Sequence, residues 1–402
     1  MLHAFVSLTL AATSFPLVAS LATSLACCSA NHTYPSVFGT EIISLTAVEV
    51  RNYSTAVETS GAVLAANLTG LNFCSINVTY THPGWNDLIT VTTWLPLTGW
   101  NGRFQGTGGG GWATGSDTQL VAPAVAAGYA AATTDGGHSN LLVHPDWALS
   151  SPGNVNYFLL QDFASVALSD MTVIGQALTE SFYGRPAAHS YWNGCSTGGR
   201  QGLMLAQRYP ELYDGILALA PAINWDSFIV AEYWAQHVMN RIAYYPPACE
   251  LEAFTAAAIA ACDDLDGVVD GIISDENACD MDPHSVIGQS FLCNGTVPMQ
   301  LTAAGAEIAL AAWTGPVDAS GKKQWYGLNR DANLTAGLVA TTASLNGTLT
   351  SAPFPIPTDW IKFFIEKDPL FNIANISDAE YFRILHESRN QYAGIINTAD
   401  PT

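Results

Sequence analysis

The chain has 402 residues, 49% apolar and only 12% charged, with 13 Lys and Arg against 34 Asp and Glu for a net charge of −21. The length allows two or three domains and a large core. So acidic a field repels phosphate backbones and anionic bilayers, which argues against nucleic acid and membrane surfaces as partners.

Taken in chain order, residues 1–26 read as a signal peptide. Leu8 to Leu25 is apolar and small, and Ser24-Leu25-Ala26 or Val18-Ala19-Ser20 suits cleavage. The charged start is weak, and a membrane anchor is the alternative for this stretch. No later segment reaches the roughly 18 uninterrupted apolar residues of a membrane span. Asn-x-Ser/Thr sequons stand at Asn31, Asn52, Asn67, Asn77, Asn294, Asn333, Asn346 and Asn375, which predicts a secreted glycoprotein. Eight cysteines include no C-x-x-C pair, so a zinc ribbon or thioredoxin-like site is excluded, and an oxidising compartment bridges most of them.

Asp87–Leu97 is β-branched and apolar and reads as a buried strand. Arg103–Gln105 leads a second strand into the open run Gly106-Thr107-Gly108-Gly109-Gly110-Gly111. Tyr129–Thr134 is a third strand, closed by Asp135-Gly136-Gly137. Leu159–Tyr183 has helical spacing with Gly184 after it, Ala188–Asn193 is a short strand, Gly199–Tyr209 a helix and Gly215–Leu219 a strand. Strands alternating with helices predict an α/β fold with a mainly parallel sheet covered on both faces. Beyond about Ile223 the chain becomes helical and aromatic, with helices expected at Ala253–Ala261, Ala303–Trp313 and Asp378–Ala393. No return to buried strands is visible, so this half reads as a cap inserted into or added onto the sheet domain.

Between the strand Ala188–Asn193 and the helix after Gly199 lies Gly194-Cys195-Ser196-Thr197-Gly198. G-x-S-x-G at a strand-to-helix turn is a nucleophile elbow, which holds a serine in a strained turn with its hydroxyl exposed. Ser196 is the candidate nucleophile. The Thr197 N–H, at a helix N-terminus, is the expected first oxyanion donor. The second donor is placed in the glycine run, at Gly110 give or take one residue, because glycine lets backbone N–H groups approach a ligand.

A cysteine immediately before such a serine is unusual. With Trp192-Asn193-Gly194-Cys195-Ser196-Thr197-Gly198-Gly199-Arg200-Gln201-Gly202, Trp100-Asn101-Gly102-Arg103-Phe104 and Thr134-Asp135-Gly136-Gly137-His138, the chain resembles the tannase/feruloyl esterase family from about Cys28 to Thr402. The resemblance implies an α/β-hydrolase with a large inserted lid. Residues 27–223 then form the N-terminal part of the catalytic domain, 224–396 the lid, and 397–402 the start of the return to the sheet. It implies a secreted, extracellular carboxylic ester hydrolase acting on small-molecule or plant cell-wall-linked phenolic esters, feruloyl or galloyl. It also implies a disulfide between Cys74 and Cys27 or Cys28, with position in the family pointing to Cys28. Cys249 and Cys293 are a further candidate pair.

Within the cap, Cys262-Asp263-Asp264-Leu265-Asp266-Gly267-Val268-Val269-Asp270-Gly271-Ile272-Ile273 concentrates carboxylates, and Cys262 and Cys279 bracket it. Asp263, Asp266 and Asp270, with the carbonyls of Val268 and Ile272, could surround a hard cation. The residues alone leave an ordinary Asp-Gly turn cluster open; the resemblance implies structural Ca²⁺. The family's triad is completed by an Asp after the lid and then a His-Cys pair, and that cysteine is the partner of the one before the serine. Nothing after Ser196 reads His-Cys. His237, His284 and His386 read as surface or cap histidines. The sequence reading therefore expects a fragment lacking the triad Asp and His, with little activity of its own. The alternative is an inactive truncated glycoprotein that keeps a calcium-bound cap for binding.

Overall fold

The structure is a computed structural model that describes residues 27, 35–59, 64–115 and 120–397. The expected signal peptide, Asn31, Cys28 and the last five residues lie outside the described residues.

The sheet begins as a long hairpin. β1 (Glu41–Val57) and β2 (Ala66–Thr81) pair antiparallel from Glu41↔Thr81 to Val57↔Ala66. Alternation decides their faces: Cys74, Ile76, Val78 and Tyr80 are fully buried while Asn77 between them is exposed. Cys74 is bonded to Cys27. This corrects the expected Cys28–Cys74 pair.

β3 (Ile89–Pro96) follows antiparallel to β2, and the remaining main-sheet strands are β4 (Arg103–Thr107), β5 (Ala130–Thr134), β8 (His189–Cys195) and β9 (Gly215–Leu219). A small hairpin, β6 (Leu149–Ser151) and β7 (Asn154–Val155), lies between β5 and β8 in the chain. The sheet order is β1-β2-β3-β5-β4-β8-β9. Only the β5/β4, β4/β8 and β8/β9 pairings are parallel. The sheet is thus mixed rather than mainly parallel. Among the described residues from 41 to 96 there is no helix, and short turns can join only antiparallel neighbours.

Helices cover both faces, as expected. α1 (Ala122–Ala126) packs on one side with Phe73 and Trp94. α2 (Tyr157–Ala164), α3 (Val166–Tyr183) and α4 (Thr197–Arg208) follow, and α3 packs on the other face with Phe104, Ile76 and Trp192. The single helix expected at 159–183 is broken at Ser165, with a bend of 53°. Buried Arg200 causes the break by donating to the carbonyls of Phe163 (3.0 Å) and Ala164 (3.1 Å), which a continuous helix would need for itself.

The second half is helical: α5 (Trp225–Ala231), α6 (Trp234–Ile242), α7 (Ala248–Cys262), α8 (Ala303–Thr314), α9 (Pro355–Asp359) and α10 (Asp378–Ile396). Two small hairpins, β10–β11 (Ser290–Cys293, Val297–Gln300) and β12–β13 (Thr341–Ala343, Leu349–Ser351), sit on its surface. Its core of Trp225, Trp313, Trp360, Phe364 and Tyr392 is continuous with Trp112, Trp147 and Phe163 from the first half. Cys249 bonds Cys293, and Cys262 bonds Cys279. Among the described residues no single helix is long and apolar enough to cross a membrane.

Candidate active site

Ser196 is the hinge between β8 and α4, with φ 58° and ψ −117°. A non-glycine residue in that region is held by its surroundings at a cost of about 1–3 kcal/mol. The surroundings are backbone. The Ser196 N–H donates to the Leu219 carbonyl (3.0 Å), and its own carbonyl accepts from the N–H groups of Arg200 (3.0 Å) and Ala222 (3.2 Å). The flanking glycines are required for space. A Cβ on Gly194 would lie 2.3 Å from the Gly198 carbonyl oxygen, and one on Gly199 would lie 2.4 Å from that of Leu219.

The glycine run after β4 reaches the same place and is tied to α4 at several points. Gly198 N–H donates to the Gly109 carbonyl (3.0 Å), and Thr197 Oγ1 donates to the Gly111 carbonyl (2.8 Å). Fully buried Gln201 accepts from Gly109 N–H (3.0 Å) and donates to the Thr114 carbonyl (3.0 Å). Gly108 and Gly109 are glycine for packing, since a Cβ would meet Gly198 Cα at 2.6 Å and the Ala113 oxygen at 2.0 Å. Gly110 has room for one, its nearest neighbour being Leu142 at 3.9 Å. It is therefore the open member of the run. Ser196, Cys195, Gly110 and Asp135 line one cavity of about 620 Å³. Thr197 opens the helix, where first-turn N–H groups lack intrahelical acceptors.

Sequence reasoning missed Gln201 and Asp135. Asp135 accepts from the Thr90 and Gly137 N–H groups (both 2.9 Å), and burial raises its pKa. Gln201 follows Thr197 by one helical turn; a polar residue on the inner face of α4 was the available signal. Neighbouring His138 accepts from Thr114 at Nε2 and donates to the Ser139 carbonyl from Nδ1 (both 2.9 Å), while burial pushes its pKa down to about 4.

The downstream histidines lie elsewhere. Buried His237 bonds Asp378 (2.7 Å), His284 bonds Asp282 (2.8 Å), and His386 bonds Asn390 (2.8 Å). None lines the Ser196 cavity, and among the described residues no side chain hydrogen-bonds Ser196 Oγ. Cys195 is a free thiol.

In the acidic loop, Asp263 accepts from the N–H groups of Asp270 (3.2 Å) and Gly271 (2.9 Å), and Asp266 from those of Val268 and Ser274 (both 2.9 Å). Asp270 accepts from Ile272 (3.1 Å). These bonds fold the loop around its carboxylates. Asp263, Asp266 and Asp270 do not bring oxygens within 4.8 Å of one another as a triplet. The donors are nevertheless all oxygen, as a hard cation requires. Arg330 on Glu276 (3.4 Å) is the ion pair the structure places there.

The family model described as tannase and feruloyl esterase matches residues 75–368. A probable feruloyl esterase of Arthroderma benhamiae is 41% identical over 372 residues, covering 91% of this chain and 68% of that protein. The tannase of Aspergillus oryzae is 34% identical over 56% of this chain and 39% of its own length. Among solved structures, a tannin acyl hydrolase from Aspergillus niger superposes with a TM-score of 0.79 at 27% identity, covering 94% of this chain and 70% of that one. Feruloyl esterase B from Aspergillus oryzae superposes at 0.69 with 23% identity, over 91% of this chain and 69% of its own.

Proposed function

The chain belongs to the tannase and feruloyl esterase family, and on that premise we propose that it carries the nucleophile of a secreted carboxylic ester hydrolase acting on phenolic acid esters. The carrying observation is Ser196 at φ 58° in the elbow, beside the glycine run and opening on a cavity. Ser196 Oγ attacks the ester carbonyl. The Thr197 N–H and the Gly110 N–H hold the oxyanion as charge develops; the ester C–O bond breaks, the alcohol leaves with the proton lost by the serine, and water then releases the acid from the acyl-enzyme. The reaction also needs a base oriented by a carboxylate, and the described residues put no histidine beside Ser196. The 402-residue chain alone is therefore expected to turn over slowly.

The test assays the secreted product of the transcript, whatever its length, beside residues 1–402, using methyl ferulate and methyl gallate. Release of the phenolic acid by the former, reduced about 10⁴-fold or more by Ser196→Ala, is the expected result. No turnover by the whole product would leave the other reading, a binding glycoprotein.

Residues 224–396 serve in this proposal as a lid over the cavity. The Asp263–Ile272 loop holds structural Ca²⁺ through Asp263, Asp266 and Asp270 with the Val268 and Ile272 carbonyls, and the ion supplies rigidity rather than chemistry. Secretion is supported by three disulfides and by the exposure of the seven described sequons. Loss of mass on treatment with an N-glycosidase checks the glycans.

A further inference from the structure

We infer that His82, Asp87 and Asp162 form a binding site for one divalent transition-metal ion of the zinc class, separate from both the Ser196 cavity and the acidic loop. Two lie in the turn between β2 and β3 and the third on a helix. His82 directly follows β2, Asp87 precedes β3, and Asp162 stands on α2. His82 Nδ1 is hydrogen-bonded to Asp87 Oδ2 (2.6 Å) and lies 4.0 Å from Asp162 Oδ1, and one donor atom of each residue lies within 4.8 Å of the other two.

The remaining atoms of two of these residues are already held. Asp87 Oδ1 accepts from Thr81 Oγ1 (2.7 Å) and from the His82 N–H (2.8 Å), which leaves Oδ2 facing the imidazole. His82 Nε2 bonds Asp170 Oδ2 (3.1 Å), and the Tyr80 hydroxyl donates to the same oxygen (3.1 Å). A ligating histidine fixed by a carboxylate through its other nitrogen is the usual outer support of a metal site. Asp162 is the exception. It is fully buried, and neither of its carboxylate oxygens has a hydrogen-bond partner.

Charge and donor chemistry select the ion. Three carboxylates, Asp87, Asp162 and Asp170, surround one imidazole, and burying unpaired charge is costly. An imidazole among the donors disfavours Ca²⁺ and Mg²⁺, which take oxygen, and suits zinc or its neighbours. Two carboxylates and a neutral imidazole neutralise a divalent ion. Adjusting the 2.6 and 4.0 Å separations to a common coordination sphere takes side-chain movements below about 1 Å. Bound there, the ion would clamp the turn between β2 and β3 to the broken pair α2–α3.

The experiment uses the full chain, stripped with a chelator, dialysed and titrated with zinc. Expected are about one equivalent of bound zinc and a melting temperature that rises with it. Asp162→Asn should abolish uptake at the same concentrations, and Asp170→Asn should weaken it about 10–100-fold. Asp266→Asn, in the acidic loop, should leave zinc binding unchanged. Cobalt(II) on the wild-type chain gives a second readout, a visible band from nitrogen and oxygen ligands, should Asp162→Asn fail to fold. No zinc uptake by the wild type, or equal affinity in Asp162→Asn, would overturn the site.

Discussion

His138 is clamped between the Thr114 hydroxyl and the Ser139 carbonyl in a way that only a neutral imidazole satisfies. Its pKa is about 4 in the fold and about 6.5 in an unfolded chain. As pH falls through that window the unfolded chain takes the proton first. The stability His138 contributes is therefore whole above about 6.5 and is lost towards 4. His138→Gln should lose less stability than the wild type between pH 6.5 and 4, by at most about 3 kcal/mol in urea titrations at the two pH values. Equal losses would remove His138 from the account. Legibility at this scale follows chemistry. Ser196 was readable because glycine spacing is a steric requirement, and the structure gives each glycine a backbone neighbour. Asp135 and Gln201 were harder, because the Thr90 and Gly109 N–H groups they accept from lie on other elements, and the local signs, an Asp-Gly-Gly turn and a polar residue on the inner face of α4, name no partner. Cys27 was indistinguishable from Cys28, since the choice belongs to a strand some 47 residues away.

Among elements, the helices with apolar spacing were legible to within a few residues, and α10 carries a capping box at Ser377 and Glu380 that marks its start. The break at Ser165 was not, because it is made by Arg200 from another helix. The β1–β2 hairpin escaped because its period-2 signal is interrupted by irregular pairing at Ile42/Ser44 and from Val50 to Thr55. The acidic loop is closed by the Cys262–Cys279 bridge, and Asp264 and Asp270 in it are exposed. If calcium orders it as proposed, a concentration 100-fold above the dissociation constant should stabilise the chain by about 2.7 kcal/mol. EGTA should lower the melting temperature accordingly, and Asp266→Asn should erase the difference. Identical melting curves with calcium and with EGTA would refute the ion.

At the scale of the molecule, the apolar core runs without interruption from Trp147 and Phe163 through Trp112 into Trp225, Trp360 and Phe364. Trp112 also donates from Nε1 to Asp359 (3.2 Å), on the far side of that seam. Both halves should therefore unfold in one transition, coincident by tryptophan fluorescence and far-ultraviolet circular dichroism. Trp112→Ala should cost about 3–5 kcal/mol. Two separated transitions would show that the seam does not couple the halves. The sequence suggested a boundary near residue 223 because composition changes there, but a core is shared through contacts that composition does not record. Trp112 immediately follows Gly111, whose carbonyl accepts from Thr197. The residue that seals the helical half is thus the next link after the loop that meets the serine. For recombination between relatives, the heritable unit is not the run of sequence up to 223. A crossover there would hand one parent's glycine loop to another parent's tryptophan socket, so chimeras should survive only where both are exchanged together.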